Sequence, residues 1–148
     1  IRQKRVGRQG KEFALYKFRT MQMNTPIYEQ KPKDDDARIT RIGNLLRYIG
    51  LDELPQIFNI LKGQMSLVGP RPEMPFIVKN YTENQKQRLT VKSGITGLWQ
   101  ISGKTKLPIL ENLEYDLEYI KNQSIILDFK ILSKTFTLLL GNIFHLFK

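Results

Sequence analysis

Apolar residues recur at helical spacing in two neighbouring segments, 39–49 and 51–62, on either side of Gly50. Spacings of three and four residues place them on one side of a helix, which is typical of amphipathic helices. Thr40 is a suitable N-cap for the first helix, and Asp52 is a suitable N-cap for the second. The apolar positions are Ile39, Ile42, Leu45, Leu46 and Ile49 in the first segment and Leu54, Ile57, Phe58 and Leu61 in the second.

A short β-hairpin is predicted near the start of the chain. Apolar and polar residues alternate over 13–19, which predicts a half-buried strand with Lys17 and Arg19 on one side and Phe18 on the other. Two glycines precede this strand and supply a turn. The polar segment 22–37 that follows it, with two prolines, predicts a surface loop.

Segment 65–75 is predicted to be an extended, stiff loop around Arg71, because glycine and proline interrupt any helix there. The helix breakers are Gly69, Pro70, Pro72 and Pro75.

Helical patterns return in the C-terminal half. A helix is expected around 82–91, then a glycine-rich loop with a short strand over 95–101. An acidic amphipathic helix is expected over 111–122 and a much more apolar helix over 125–147. The fold class predicted from these elements is α+β, mostly helical, with a small strand element.

Length and composition refine this interpretation. The 148 residues suit a single domain, 1–148. The 24 Lys and Arg residues against 14 Asp and Glu give a net charge of +10, which indicates partners that carry phosphate: nucleic acid, nucleotide or an anionic membrane surface. The absence of cysteine excludes disulfides, a thiolate nucleophile and cysteine metal ligands.

The adjacent carboxylates Asp52 and Glu53 are the main candidates for chemistry. Unpaired N–H groups and the helix dipole at a helix N-terminus are expected to lower their pKa values and keep them ionised. An ionised aspartate can attack phosphorus or bind Mg²⁺. The structural alternative is an ordinary N-cap, which is common on soluble helices.

Basic residues flank this pair along the chain. Arg71 on a stiff loop suits bidentate phosphate binding, and Arg47 lies five residues before Asp52. Lys17 and Arg19 suit a surface that faces phosphate. A turn arginine and a solvated strand face are the respective structural alternatives.

Three further features leave alternatives open. Trp99 and Gln100 could stack on and hydrogen-bond a nucleobase, although a lone tryptophan is more often a core residue. The single histidine, His145, lies in an apolar segment and receives no role. The segment 125–147 suits a membrane-surface helix, with Lys130 among its cations, more than a core helix.

Six motifs in order resemble one family, the bacterial sugar transferases, also called monotopic phosphoglycosyl transferases, which load a sugar phosphate onto polyprenyl phosphate. The resemblance covers nearly the whole chain. The matching stretches are 5–7, 17–21, 38–43, 51–56, 65–72 and 92–101, followed by Asp116 and Tyr119.

The resemblance implies transfer of a hexose-1-phosphate from a UDP-sugar to polyprenyl phosphate, with release of UMP and with Mg²⁺ as cofactor. Asp52 would be the nucleophile that forms a covalent phosphoglycosyl intermediate and would also bind the metal, and Glu53 would be its partner. The other implied site residues are Arg47, Arg71, Lys17 and Arg19 for substrate phosphates, and Gln100, Lys104 and Asp116 for the nucleotide.

The resemblance also implies a place at the cytoplasmic face of the bacterial inner membrane, with the membrane surface as a partner. The family begins with a re-entrant membrane segment, which this sequence is expected to lack. Where the family often carries Asn-Gly-Arg, this chain has Ser102-Gly103-Lys104, which replaces a planar guanidinium with a point charge.

Two rival functions come from other classes. Residues 39–61 could form a helix-turn-helix that binds nucleic acid, but Asp52 and Glu53 would then face the phosphate backbone with the wrong charge. We therefore expect no nucleic-acid partner. A catalytically idle membrane-bound scaffold is the other rival, against which the intact acidic and basic residues argue.

Overall fold

The computed structural model describes residues 1–25, 36–103 and 112–146. Within these ranges the protein is an α+β fold made mainly of short helices, as the sequence predicts. The α-helices are α1 (Arg41–Tyr48), α2 (Ile57–Leu61), α3 (Pro75–Val78), α4 (Glu83–Lys86), α5 (Leu98–Ile101), α6 (Leu113–Lys121) and α7 (Ile125–Leu146). The strands are β1 (Arg2–Val6), β2 (Glu12–Tyr16), β3 (Ser66–Val68) and β4 (Gly94–Thr96).

The predicted N-terminal hairpin is confirmed. Strands β1 and β2 pair antiparallel, with Val6 opposite Glu12. The turn between them uses Gln9 and Gly10 at φ values of 59° and 73°, in the left-handed region that glycine favours. The predicted strand over 13–19 was too long, however, because β2 ends at Tyr16.

Beyond β2 the chain pairs with a different segment. The Phe18 N–H donates to the Asp52 carbonyl oxygen at 2.9 Å, which joins the residues after the hairpin to the segment that holds the two carboxylates. Phe18 is 49 % exposed, so the prediction of a half-buried strand that buries the Phe18 side is wrong at this position.

The first amphipathic helix and its cap are confirmed. The Thr40 hydroxyl accepts a hydrogen bond from the Gly43 N–H at 2.9 Å at the start of α1. The second helix begins differently from the prediction. Gly50, at φ 71°, is its N-cap, and 51–56 forms a 3-10 helix before α2. Asp52 therefore lies within the first turn and is not a cap.

The apolar side of these helices points outward. Four of its residues, Ile42, Leu54, Phe58 and Leu61, are 73 %, 47 %, 61 % and 77 % exposed. An amphipathic helix of a globular protein usually buries this side. Here the sequence pattern identified the helices correctly, but the apolar stripe does not contribute to the core.

A parallel pair of strands supports the loop around Arg71. Strands β3 and β4 pair with Val68 opposite Thr96, so part of the segment that was expected to be a loop is a strand. The Gly69 N–H donates to the Thr96 carbonyl at 2.9 Å, and the Pro70 carbonyl accepts from the Gly94 N–H at 3.0 Å. The residues after β3 are therefore tied to β4.

The predicted strand over 95–101 is only partly right, because the chain turns into α5 after Gly97. The expected helix around 82–91 is present as α4 followed by a 3-10 turn, with a capping box between Thr82 and Gln85. The predicted helices at 111–122 and 125–147 correspond to α6 and α7 over the residues described.

Two clusters of buried side chains form the core. One contains Val68, Ile101, Tyr119 and Ile131, and the other contains Phe13, Leu15 and Met65. Helix α7 contributes only Ile131 as a buried residue, although it is 22 residues long. No helix in the described ranges is long and apolar enough to cross a membrane.

Candidate functional site

The two adjacent carboxylates lie in the 3-10 turn that follows α1. Asp52 is only 7 % exposed, and its carboxylate has no hydrogen bond or ion pair with any residue in the described parts of the chain. The Asp52 carboxylate oxygens are not among the fully buried polar atoms that lack a hydrogen-bond partner, so they keep some contact with solvent. Asp52 is therefore available to a ligand.

Glu53, in contrast, has a partner. The Arg71 guanidinium donates through Nη2 to the Glu53 carboxylate at 2.6 Å, and the Glu53 and Arg71 side chains are 19 % and 37 % exposed. The remaining Arg71 N–H groups have no hydrogen-bond partner in the described ranges. Arg71 can thus hold Glu53 and still offer donors to a phosphate.

The electrostatic setting of Asp52 differs from the sequence-based expectation. Burial, followed by the negative charge of Glu53, raises the pKa of Asp52 above its usual value, and the nearby cations only partly offset this. The expected lowering by a helix N-terminus was wrong for Asp52, because burial and a like charge outweigh the dipole of a short 3-10 turn.

The pKa of Glu53 moves in the other direction. Burial tends to raise it, but the charge of Arg71 and the Arg71 hydrogen bond outweigh burial, and the charges of Lys17 and Arg47 add to them. The same pair raises the pKa of Arg71, chiefly through the Glu53 charge. The pKa values of the two neighbouring carboxylates are thus shifted in opposite directions, which allows them to take different roles.

The structure brings together five of the predicted site residues. Burial lowers the pKa of Lys17, the charge of Arg71 lowers it further, and the charges of Asp52 and Glu53 oppose this effect. Arg47 acts electrostatically on both carboxylates. We call these five residues the dyad pocket, after the adjacent carboxylates: Lys17, Arg47, Asp52, Glu53 and Arg71.

The other predicted residues are placed differently. Arg19 is exposed, and its charge acts on the Ile1 amino group. The Gln100 amide donates to the Ile95 carbonyl at 2.8 Å, and its buried Oε1 has no hydrogen-bond partner among the residues that the structure describes. Lys104 lies outside the described residues.

Asp116 is buried and paired with an arginine. It is 2 % exposed, and its carboxylate accepts from Arg88 Nε at 2.7 Å. Sequence reasoning missed Arg88, which looked like one of many cations on a polar helix. No signal in a single sequence distinguishes a buried arginine from a surface one.

The donor set can be compared with what a metal needs. The described residues contain no group of three or more His, Cys, Asp or Glu side chains that could hold a metal ion. Mg²⁺ characteristically binds one or two carboxylates and completes its shell with water and substrate phosphates. The unpartnered Asp52 carboxylate fits a site of that kind.

A shallow apolar groove lies elsewhere, along α7. It is lined by Ile126, Phe129, Lys130, Ser133, Lys134 and Thr137, none of which belongs to the dyad pocket.

Comparison with known proteins was informative at the level of the family. A family described as bacterial sugar transferase matches residues 1–142. The chain is 43 % identical to a galactosyl transferase, CpsE, of Streptococcus agalactiae, over 93 % of this chain and 34 % of that protein. It is 43 % identical to a UDP-glucose:undecaprenyl-phosphate glucose-1-phosphate transferase of Xanthomonas campestris, over 95 % of this chain and 31 % of that protein.

A third relative is an uncharacterized sugar transferase, EpsL, of Bacillus subtilis, which is 45 % identical over 91 % of this chain and 66 % of its own length. The chain spans about one third to two thirds of the length of the curated relatives it matches.

Proposed function

We propose that this chain, which belongs to the bacterial sugar transferase family, transfers a hexose-1-phosphate from a UDP-sugar to polyprenyl phosphate and releases UMP. The Xanthomonas relative is named for a UDP-sugar donor, UDP-glucose, a polyprenyl phosphate carrier, undecaprenyl phosphate, and a transferred glucose-1-phosphate. A Salmonella typhimurium relative, 42 % identical over 88 % of this chain, is named an undecaprenyl-phosphate galactose phosphotransferase. The observation that carries the proposal to this chain is the Asp52 carboxylate, which has no hydrogen bond or ion pair in the described parts of the chain and lies in the field of three cations, Lys17, Arg47 and Arg71.

The proposed nucleophile is Asp52. Its carboxylate oxygen attacks the phosphorus that bears the sugar, and the bond from that phosphorus to the oxygen bridging the two phosphates breaks, so that UMP leaves. A phosphate oxygen of the polyprenyl phosphate then attacks the same phosphorus, breaks the bond to Asp52, and forms the diphosphate-linked product. A raised pKa suits a nucleophile that must lose the hydration of its charge before it attacks.

The cations supply the electrostatic part of the reaction. Arg47, Lys17 and the free N–H groups of Arg71 neutralise charge on the donor phosphates, which is the main source of rate in phosphoryl transfer. Glu53 holds Arg71 in place through their ion pair. Mg²⁺, when bound by Asp52 and the donor phosphates, would supply further neutralisation. Arg19 remains a proposed phosphate contact from the resemblance alone.

We assign Gln100 and Lys104 to the nucleotide. In support, the buried Gln100 Oε1 lacks a partner in the described parts of the chain, and such an acceptor can receive a nucleobase N–H. Asp116 was assigned to the nucleotide by the resemblance, but its carboxylate is engaged by Arg88.

The proposed location is the cytoplasmic face of the bacterial inner membrane, where the lipid acceptor is accessible. The exposed apolar residues of α1 and α2, such as Ile42 and Phe58, support a membrane surface as the partner. The same residues weaken the helix-turn-helix alternative, because a helix that enters a DNA groove presents polar side chains there.

The test uses the full-length protein in membranes, with Mg²⁺, a panel of UDP-sugars, and polyprenyl phosphate either present or absent. We expect one UDP-sugar to give UMP, and a burst of UMP without the acceptor because the first half-reaction does not need it. Asp52→Asn should abolish both UMP release and covalent labelling by a donor with radiolabel in its sugar.

A catalytically idle scaffold would release no UMP from any donor. UMP release that requires the acceptor to bind first, or an active Asp52→Asn protein, would exclude the covalent intermediate.

A further inference from the structure

A buried arginine connects α6 to the loop that carries Arg71. Arg88 is 3 % exposed, and all three nitrogens of its guanidinium have partners. Nε donates to Asp116 at 2.7 Å, Nη1 donates to the Tyr81 hydroxyl, and Nη2 donates to the Arg71 carbonyl oxygen at 2.8 Å. The proposed reaction uses none of these groups directly.

The Arg71 backbone is the common target of two sets of contacts. On its N-terminal side, the hydrogen bonds of Gly69 and Pro70 attach the loop to β4. The Arg88 guanidinium holds its carbonyl on the other side. A Cβ at Gly69 would lie 2.4 Å from the Lys92 carbonyl oxygen, so the loop and the residues before β4 are in close contact. The Arg71 side chain therefore extends from a backbone that is held by hydrogen bonds on both sides.

The side chain of Arg71 carries this constraint into the dyad pocket. It pairs with Glu53 at 2.6 Å, and Glu53 is the immediate neighbour of Asp52. Continuous contacts therefore run from Asp116 through Arg88 and Arg71 to Glu53. A guanidinium in a planar fork can bind three acceptors in fixed directions, whereas the ammonium of lysine cannot.

We propose that Arg88 is a positioning residue for the transfer reaction, which orients Arg71 against Glu53, and that Asp116 acts through Arg88 rather than on the nucleotide. This inference rests on the proposed function, since it names residues that support the same pocket. Arg88 contacts no substrate. It keeps the Arg71 fork at the distance from Glu53 at which both a carboxylate and a phosphate can be bound.

Arg88→Lys is the variant that tests the proposal, because it retains a cation for Asp116 but loses the directed bond to the Arg71 carbonyl. Tyr81→Phe is the matched control, since it removes a hydrogen bond from the same buried guanidinium but leaves the contact with Arg71 intact. Both variants are measured in the full-length protein for UMP release, with kcat and KM for the donor separated, and for unfolding by denaturant.

We expect Arg88→Lys to lower kcat about tenfold or more, with KM changed less than about threefold. Tyr81→Phe should lose stability but keep kcat within about twofold. In a Glu53→Gln background, Arg88→Lys should cost little further activity, because the ion pair that Arg88 supports has already lost its negative charge. Asp116→Asn, which keeps the shape of the side chain, should show a smaller loss of kcat and serves as the test variant if Arg88→Lys does not fold.

Three results would overturn the proposal. The first is a wild-type kcat in Arg88→Lys, and the second is an equal loss of kcat in Arg88→Lys and Tyr81→Phe when both lose the same stability. The third is a pair of additive effects of Arg88→Lys and Glu53→Gln on kcat. A second double-mutant cycle, on the unfolding free energy of the Arg88→Lys and Glu53→Gln variants, needs no activity. If the wild-type protein releases no UMP, the proposed function fails. This cycle still reports whether Arg88 and Glu53 are coupled, and additive unfolding energies would reject the coupling.

Discussion

Asp52 and Glu53 are covalent neighbours of similar chemistry, yet their surroundings move their pKa values in opposite directions. Burial and the charge of Glu53 raise the pKa of Asp52. For Glu53, the ion pair and hydrogen bond from Arg71 outweigh burial and lower the pKa. Within the described residues the Asp52 carboxylate has no partner, whereas Glu53 is held by Arg71, which separates a candidate nucleophile from a group that orients its neighbours.

The first prediction concerns stability and pH at Asp52. Because its folded-state pKa is raised, Asp52 adds stability below its unfolded pKa of about 4, and this is lost as pH rises through the folded value. Asp52→Asn should therefore equal or exceed the wild-type free energy of unfolding at neutral pH, as measured by denaturant titration. A clear loss of stability at pH 7 would show that the Asp52 charge has an unrecognised stabilising partner.

The second prediction has the opposite sign. Because the folded-state pKa of Glu53 is lowered, its contribution is present above its unfolded pKa of about 4.3 and disappears as pH falls through the folded value. Glu53→Gln should cost about 1–3 kcal/mol at pH 7, since it breaks a partly buried pair that water partly screens. The difference from wild type should shrink on acidification, and a difference independent of pH would contradict the ion-pair explanation.

The third prediction separates charge from geometry at Arg71. Arg71→Lys keeps a cation, but one ammonium cannot bind Glu53 at 2.6 Å and offer parallel donors to a phosphate as well. We expect UMP release to fall about tenfold or more while the fold is retained. The check is steady-state kinetics beside circular dichroism, and wild-type turnover would remove Arg71 from the site.

The sequence could indicate these residues only because local chemistry marked them. Adjacent carboxylates and an arginine between prolines are visible in the chain itself. The Arg88–Asp116 pair joins residues that are 28 positions apart, and nothing near either residue signals burial. Single-residue roles that depend on such long-range contacts require the fold.

At the scale of elements, helical spacing was a reliable signal, but the direction of the apolar side was not. The spacing correctly predicted α1 and the turn at Gly50. It could not show that Leu54 and Leu61 are exposed, because periodicity reports that a helix has an apolar side and not what covers it. The 3-10 geometry of 51–56 was equally hidden.

The fourth prediction tests how α1 is seated next to the pocket. A Cβ at Gly43 would lie 2.0 Å from the Thr20 carbonyl oxygen. An alanine at position 43 must therefore push α1 away from Thr20, three residues after Lys17. Gly43→Ala should cost about 1–3 kcal/mol of unfolding free energy.

Gly141→Ala is the matched control, because no described atom outside the adjoining backbone of α7 lies within 4 Å of its added Cβ and because alanine favours the helix, by up to about 1 kcal/mol. Chemical denaturation compares the two directly. Similar changes for both variants would mean that α1 can shift without cost.

At the scale of the whole molecule, exposed apolar side chains and a net charge of +10 occur together. Large apolar residues are exposed on α1, on α2 and along α7, where Phe136 and Phe144 are 63 % and 68 % exposed. Soluble monomers rarely expose so much apolar surface without a partner. Helix α7 contacts the end of α1, since the Asn142 amide donates to the Tyr48 carbonyl at 2.8 Å.

The fifth prediction is that these surfaces, together with the cations of the N-terminal stretch and of α7, bind anionic bilayers. Apolar side chains would enter the interface while cations such as Lys130 and Lys134 meet the headgroups. Co-sedimentation should be stronger with anionic than with neutral vesicles and should weaken as salt rises. Leu61→Glu and Phe144→Glu should each reduce binding, because a charge would enter the apolar layer.

Phe76→Glu is the control for added negative charge alone, at a residue that is 52 % exposed on α3, and it should change vesicle binding little. Equal binding to neutral and anionic vesicles at low salt would remove the electrostatic part of the proposal, and equal losses in all three variants would mean that net charge, not the exposed apolar side, governs binding.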